Sequence, residues 1–262
     1  MNGTVDFSLF KRFFMISPEG ADDPIWSMAA ADLVRDETMR EALRICGQPY
    51  RATDLYLPAS FIGLSVYGLC AVQLMILVQT GRWIDLPLSN LTFEVVAREG
   101  YAQIGYRIHD VRLSDVPEGD ARSAYLNEAW TAFHRNTVIP FIESVTRQAG
   151  VKPQLVWNQY PSRHAFLRDY IREHETRREI LTRFEQEDAL LSSLPAGLFR
   201  LRKNPYIHQP KYIPSPYEEG KRMMVRSACC MYYKREHGTK CYNCPILSEQ
   251  DREAMRRSMV KA

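Results

Sequence analysis

The sequence holds no G-x-G-x-x-G, no G-x-x-x-x-G-K-[ST] and no G-x-S-x-G. Neither a nucleotide site nor a hydrolase elbow is indicated. It has no internal repeat and no low-complexity tract, which sets aside solenoids and disordered arrays. A net charge of +3 is too small to argue for nucleic acid or another polyanion. None of the six histidines (His109, His134, His164, His174, His208 and His237) forms a close ligand pair such as H-x-x-x-H. The opening MNGTVDFSLF lacks the charged-then-apolar layout of a leader. The expectation is therefore a cytoplasmic protein whose thiols stay reduced.

Charge is missing altogether between Asp54 and Arg82. Within that gap Phe61–Val78 (FIGLSVYGLCAVQLMILV) is long enough to be tested against a membrane span. No second apolar run exists to pack against it, and Ser65, Tyr67 and Gln73 are polar groups inside it. A buried core helix is the expected reading; insertion into a membrane, or a peripheral contact at its inner face, stays open beside it.

With 262 residues, 45% hydrophobic and 25% charged, the chain can bury a core without staples. Helical spacing is expected over 28–46, closed by Gly47, and over 58–80, closed by Gly81. Leu91–Arg98 and Tyr101–Asp110 are rich in β-branched and aromatic residues around Glu99-Gly100, the pattern of a hairpin. Residues 115–121 read as a loop. Helix returns over 122–148, with Pro140 as a break and Gly150 as a stop. LVWNQY (155–160) is short and aromatic. Residues 163–190 have the composition of one solvated helix, with Arg and Glu at i,i+4. Residues 204–220 carry Pro205, Pro210, Pro214 and Pro216 and so form an extended linker. A short strand over 221–227 precedes a terminal helix over 248–260, with Ser248 as its cap and Asp251 three residues on. The fold class is helix-rich α+β. The expected organisation is a body over 1–200 and a small cysteine-rich module over 201–262.

Cys46 and Cys70 stand alone, but Cys229, Cys230, Cys241 and Cys244 fall within 16 residues. In a reducing compartment such a set calls for metal chemistry rather than disulfides. Four thiolates can hold zinc or an iron–sulfur cluster. Only Cys241/Cys244 has the C-x2-C form of a zinc knuckle. The adjacent pair Cys229-Cys230 reaches one small ion awkwardly, because neighbouring side chains of an extended chain point apart. A two-iron cluster is a larger target, reachable through a bent backbone. The spacing favours iron–sulfur and leaves zinc open. Lys221, Arg222, Arg226, Lys234, Arg235 and Lys240 surround the cysteines against the single acid Glu236. Cations favour thiolate and stabilise a reduced, more negative centre.

C-C-x10-C-x2-C near a C-terminus resembles the signature of the bacterial FhuF-type ferric-siderophore reductases. The similarity in layout extends to the apolar helix near residue 65, to LVWNQY and to Asn204-Pro205. The resemblance implies a [2Fe–2S] cluster on Cys229, Cys230, Cys241 and Cys244. It also implies one-electron reduction of a ferric siderophore and release of ferrous iron in the cytoplasm. An external electron donor and no nucleic-acid partner are expected with it. The 18 residues after Cys244 are longer than the family pattern leads one to expect. The rival reading is a non-enzymatic module that binds a siderophore or a protein, with a structural four-cysteine zinc site.

Other residues have plainer readings. Trp26, Trp83, Trp130 and Trp157 are expected in the core. Tyr232, Tyr233 and Tyr242 flank the cysteines and suit shielding from water. His237 lies between the cysteine pairs, where a hydrogen bond to sulfur or service as an alternative ligand is conceivable. Arg163, Arg168, Arg172, Arg177 and Arg178 read as a solvated face, with anion binding as the sharper alternative.

Overall fold

The uncharged stretch becomes the helix on which the molecule is assembled. In the computed structural model, which describes residues 5–260, the chain runs α1 (Ser8–Phe14), β1 (Ile16–Ser17), β2 (Trp26–Ala29), a 3-10 turn (Ala30–Val34) and α2 (Asp36–Gly47). It continues with α3 (Tyr56–Thr80), β3 (Arg82–Ile84), β4 (Leu91–Arg98), β5 (Tyr101–Ile108) and β6 (Leu113–Asp115). Then come α4 (Asp120–Phe133), a π turn (His134–Val138), α5 (Ile139–Gln148), α6 (Gln154–Trp157), α7 (Tyr160–His174) and α8 (Arg178–Ser193). The C-terminal part holds β7 (Tyr212–Pro214), β8 (Arg222–Met224) and α9 (Glu249–Val260). The architecture is helix-rich α+β. The first four residues of the opening segment lie outside the described residues, as do the last two of the tail.

α3 is apolar all round, and 83% of its most apolar window is buried inside the protein. That is the behaviour of a central helix packed on every side. α2, α5, α7 and α8 pack on it, together with β3 and β5. Its interior polar groups are satisfied within the fold, as burial requires. The Gln73 amide donates to Ile84 O at 2.7 Å and accepts from Ile84 N at 3.3 Å. Ser65 bonds Ile62 O at 2.7 Å and the Tyr106 hydroxyl at 2.8 Å.

The hairpin forms as its sequence indicates. β4 and β5 pair antiparallel from Leu91↔Ile108 to Arg98↔Tyr101, and Gly100 takes φ 77° in the two-residue turn. The sheet order is β1-β5-β4-β2, with β1 parallel to β5 and the other pairs antiparallel.

Two expectations are corrected. Residues 28–46 are not one helix: Trp26–Ala29 pairs with β4, the chain then makes a 3-10 turn, and helix begins only at Asp36. Edge pairing with a strand far along the chain outweighs the helix propensity of Met-Ala-Ala-Ala. Residues 163–190 are likewise two helices, α7 and α8, broken at Glu175. There the carboxylate accepts from Arg177 N and from the Arg177 guanidinium at 2.7–2.9 Å. These bonds hold the Glu175 carboxyl down to about 2. The charged composition hid apolar faces: Ile171, Ile180, Phe184 and Leu191 are all buried.

The Asn-Pro at 204–205 has a definite job. Asn204 Nδ2 lies within 3.1 Å of the carbonyls of Leu191, Ser192 and Leu194, and its Oδ1 accepts from Tyr206 N at 2.8 Å. One side chain thus closes the C-terminal end of α8 and starts the linker. Tyr206 then drops into the body, where its hydroxyl bonds His134 Nε2 at 2.7 Å. His134 Nδ1 faces Trp130 O at 2.7 Å, so Nδ1 carries the proton and the ring is neutral. Burial pushes its pKa down to about 4. A base whose pKa is depressed on folding contributes its full stability above the unfolded value near 6.5, and loses it as pH falls toward the folded value. The protein is expected to lose about 3 kcal/mol from this group between pH 6.5 and 4. His134→Gln should remove that part of the slope in urea-unfolding midpoints; an unchanged slope would contradict the assignment.

Candidate metal centre

The adjacent cysteines sit just past β8. Ser227 fastens this approach to the body: its hydroxyl donates to Asn158 O at 2.6 Å and accepts from Ser162 N at 3.1 Å. Asn158 belongs to LVWNQY at the α6–α7 junction, and Ser162 to the first turn of α7. Directly after Cys230 the chain turns sharply. Met231 takes φ 60°, a left-handed conformation rare for a side chain of this kind, and Lys234 N closes the turn on Met231 O at 2.8 Å. Beyond the turn, Thr53 N bonds Lys234 O and Glu236 N bonds Arg51 O, each at 3.1 Å. Lys234 Nζ meets Asp54 at 2.9 Å. The segment is thereby clamped to the loop that precedes α3.

The second cysteine pair lies on its own turn, with Cys244 N bonded to Cys241 O at 3.0 Å. Asn243 Nδ2 donates to Met224 O at 3.1 Å, and Arg226 N donates to Asn243 O at 3.0 Å. The two halves of the motif are thus tied backbone to backbone. The long tail completes the turn. α9 is capped by Ser248, whose hydroxyl accepts from Asp251 N at 3.1 Å. Its Arg252 donates to the carbonyls of Tyr242, Cys244 and Leu247, the last two at 3.1 and 3.2 Å. Met255 of the same helix packs on the small apolar cluster of Cys229, Cys244 and Leu247. The tail is a brace for the cysteine loop.

The four cysteines are free thiols, Cys229, Cys230 and Cys244 buried and Cys241 half-buried. Cys229 and Cys244 are in contact, and Cys241 packs against the same small cluster. Burial, with the neighbouring thiols, pushes Cys229 up to about 12. Burial raises Cys241 too, against the pull of the Arg226 guanidinium. Cys46 and Cys70 are buried elsewhere, in α2 and α3. His237 stands exposed and makes no side-chain hydrogen bond among the described residues.

The chemistry of the donor set fits a [2Fe–2S] cluster: four thiols on two short loops, three of them buried and three of them packed in one small cluster. Among the described residues no three metal-ligating side chains close round one ion-sized point. Cys229, Cys230, Cys241 and Cys244 are the residues that would hold the cluster.

The family model of the FhuF 2Fe-2S C-terminal domain matches residues 226–245. The cysteine segment is similar to the FhuF-type [2Fe–2S] domain. The match starts at Arg226, ends one residue past Cys244 and leaves the helical body outside it. No curated protein matches the chain. The matched domain is a [2Fe–2S]-binding one, which supports such a cluster here, and the spacing of the four cysteines within a short segment carries the same signal.

Beside the cysteine segment lies a cleft of 460 Å³, walled by α1, α3, β5 and α7. Tyr232, two residues past Cys230, joins them: its ring lies 6.0 Å from Tyr50 and 6.1 Å from Phe61, both of which line the cleft. The Arg235 guanidinium covers the Tyr232 ring at 4.1 Å. Arg163 and Phe166 belong both to the cleft and to a smaller 180 Å³ hollow walled by Arg226, Ala228 and Asn243.

Of the five arginines singled out in the sequence, four are ordinary. Arg168 pairs with Asp188, Arg172 with Glu185 and Arg177 with Glu175, while Arg178 opens α8. Arg163 differs. It is exposed to solvent, lines the concave wall, and has no side-chain hydrogen bond or ion pair among the described residues. Desolvation by the wall and the nearby Arg226 lower its pKa, against the opposing effect of Cys230. The cleft aromatics themselves carried no sequence signal, because α1, α3, β5 and α7 meet only in the folded chain.

Proposed function

We propose that the protein reduces ferric siderophores by one electron and so releases ferrous iron. The observation that carries this reading is the placement of the cysteine segment beside an aromatic cleft, with Arg163 lining both the cleft and the hollow walled by Arg226, Ala228 and Asn243. When bound, the [2Fe–2S] cluster supplies the electron, which it takes from an external donor.

The chain's own residues set distance, charge and water. Tyr232 and Met231 pack on the body and exclude water between cleft and cysteines. Arg163 and Arg226, lacking carboxylate partners among the described residues, offset negative charge on the thiolates and draw an anionic substrate toward them. Arg252 and Asn243 fix the loop that carries Cys241 and Cys244. No side chain need act as acid, base or nucleophile for electron transfer. Hard oxygen donors hold Fe(III) far better than Fe(II), so reduction loosens the complex. The cytoplasm is the proposed compartment, where the donor and the released iron are both accessible. α3 is spent on the core, so a peripheral contact with the inner face of the membrane would use other surfaces.

The test is anaerobic stopped-flow mixing of dithionite-reduced, desalted protein with a ferric siderophore in the presence of a ferrous trap. Cluster reoxidation and trapped Fe(II) are expected to rise together, one iron per electron. A reduced protein that stays reduced in excess ferric siderophores of several classes would contradict the reading.

A further inference from the structure

We propose that the cleft selects an anionic aryl chelate, one in which catecholate or phenolate rings hold the ferric ion. The inference rests on the reductase reading and names its substrate class. Three observations converge on it.

The walls are aromatic, with Phe13, Tyr50, Phe61, Tyr101, Phe166 and Tyr170 presented to one space. Several stay open to water: Phe13 is 49% exposed, Tyr101 43% and Phe166 64%. Large rings left wet around a concavity mark a ligand surface, and ring faces stack well on other rings. The space, 460 Å³, is within the usual size of small-molecule sites.

The lining has one charged residue, Arg163, and no carboxylate. A guanidinium without a protein partner suits phenolate oxygens, which it can bond through two N–H groups at once. Iron(III) bound by three catecholates is an anion. Iron(III) bound by three hydroxamates is neutral and usually carries aliphatic arms, which would use neither the rings nor the charge.

Position is the third observation. Arg163 also lines the 180 Å³ hollow that Arg226, Ala228 and Asn243 wall, beside the cysteine segment. An anion drawn to Arg163 is thereby brought next to the cysteine loops. A lipid surface is the competing occupant for the wet aromatic rim. The concave form and the cation set in its wall favour a ligand.

The test uses gallium(III), which binds these ligands as iron does but cannot be reduced by the protein. Cluster-loaded full-length protein is titrated with the gallium complexes of a tris-catecholate and of a trihydroxamate, and binding is followed by calorimetry. The tris-catecholate complex is expected to bind at least about tenfold more tightly. Arg163→Gln should weaken it about tenfold and flatten its salt dependence, leaving the trihydroxamate unchanged. Phe166→Ala, at an exposed ring that the fold does not need, should cost roughly three- to tenfold.

Equal or tighter trihydroxamate binding would overturn the inference. So would unchanged affinity in both variants, or adsorption to anionic vesicles without chelate binding. The two readings fail separately. A loaded protein that reduces ferric trihydroxamate as fast as the catecholate keeps the reductase and loses the class. One that binds the gallium catecholate in the cleft but reduces no ferric chelate keeps the class and loses the reductase.

Discussion

Cys244→Ser is expected to give a colourless protein that retains almost no iron and reduces ferric siderophore no faster than buffer. Cys244 is 1% exposed, touches Cys229 and sits at the turn that Arg252 braces. Serine keeps the shape of that turn but replaces a soft thiolate with a hydroxyl that holds iron poorly. Loss of even an outer contact at such centres costs about 10–100-fold in metal binding, and loss of a ligand should cost more. Cys46→Ala is the control. That thiol is buried in α2 and has no part in the cysteine loops, so its removal should leave iron content and colour unchanged while lowering stability modestly. A coloured, active Cys244→Ser protein would remove Cys244 from the site.

Gly105→Ala is expected to destabilise the fold by about 3 kcal/mol. β1 runs parallel to β5 so closely that a Cβ on Gly105 would stand 2.0 Å from Met15 O and 2.5 Å from Met15 Cβ. The obstacle is backbone, not the end of a flexible side chain. It is the same carbonyl that accepts from Tyr106 N at 2.9 Å. Relief requires β1 to move away from the sheet, and β1 carries α1 with it. α1 supplies Phe10, Phe13 and Phe14 to the cleft. The substitution should therefore lower the melting temperature by roughly 6–12 °C and weaken ligand binding in the cleft, while iron content stays normal. Unchanged melting would show that β1 adapts at no cost.

The sequence made some of this legible because the signals are local. Gly81 at the end of the apolar helix, Glu99-Gly100 between two β-branched runs, and Ser248 with Asp251 each act within a few residues, and each forms the element indicated. The cysteine spacing belongs to the same class: both loops are short, and the chain turns sharply at Met231, directly after Cys230.

What could not be read depends on distant partners. Trp26–Ala29 becomes a strand only because β4 is there to receive it. α7 and α8 separate because Glu175 takes up Arg177 and because each helix has an apolar side hidden among its charges. Arg163 is indistinguishable from Arg168 in the sequence, but Asp188 neutralises Arg168 and nothing comparable meets Arg163 among the described residues. The tail after Cys244 had no evident purpose until Arg252 was seen to hold three carbonyls of the cysteine loop.

The most direct test of the central claim is a visible absorption spectrum of anaerobically purified protein, before and after dithionite, with iron, sulfide and zinc assayed on the same sample. Charge-transfer bands that bleach on reduction, with iron and sulfide in equal amounts, are the predicted result. A colourless protein carrying stoichiometric zinc would contradict it, and the four cysteines would then be a structural site with no electron to give.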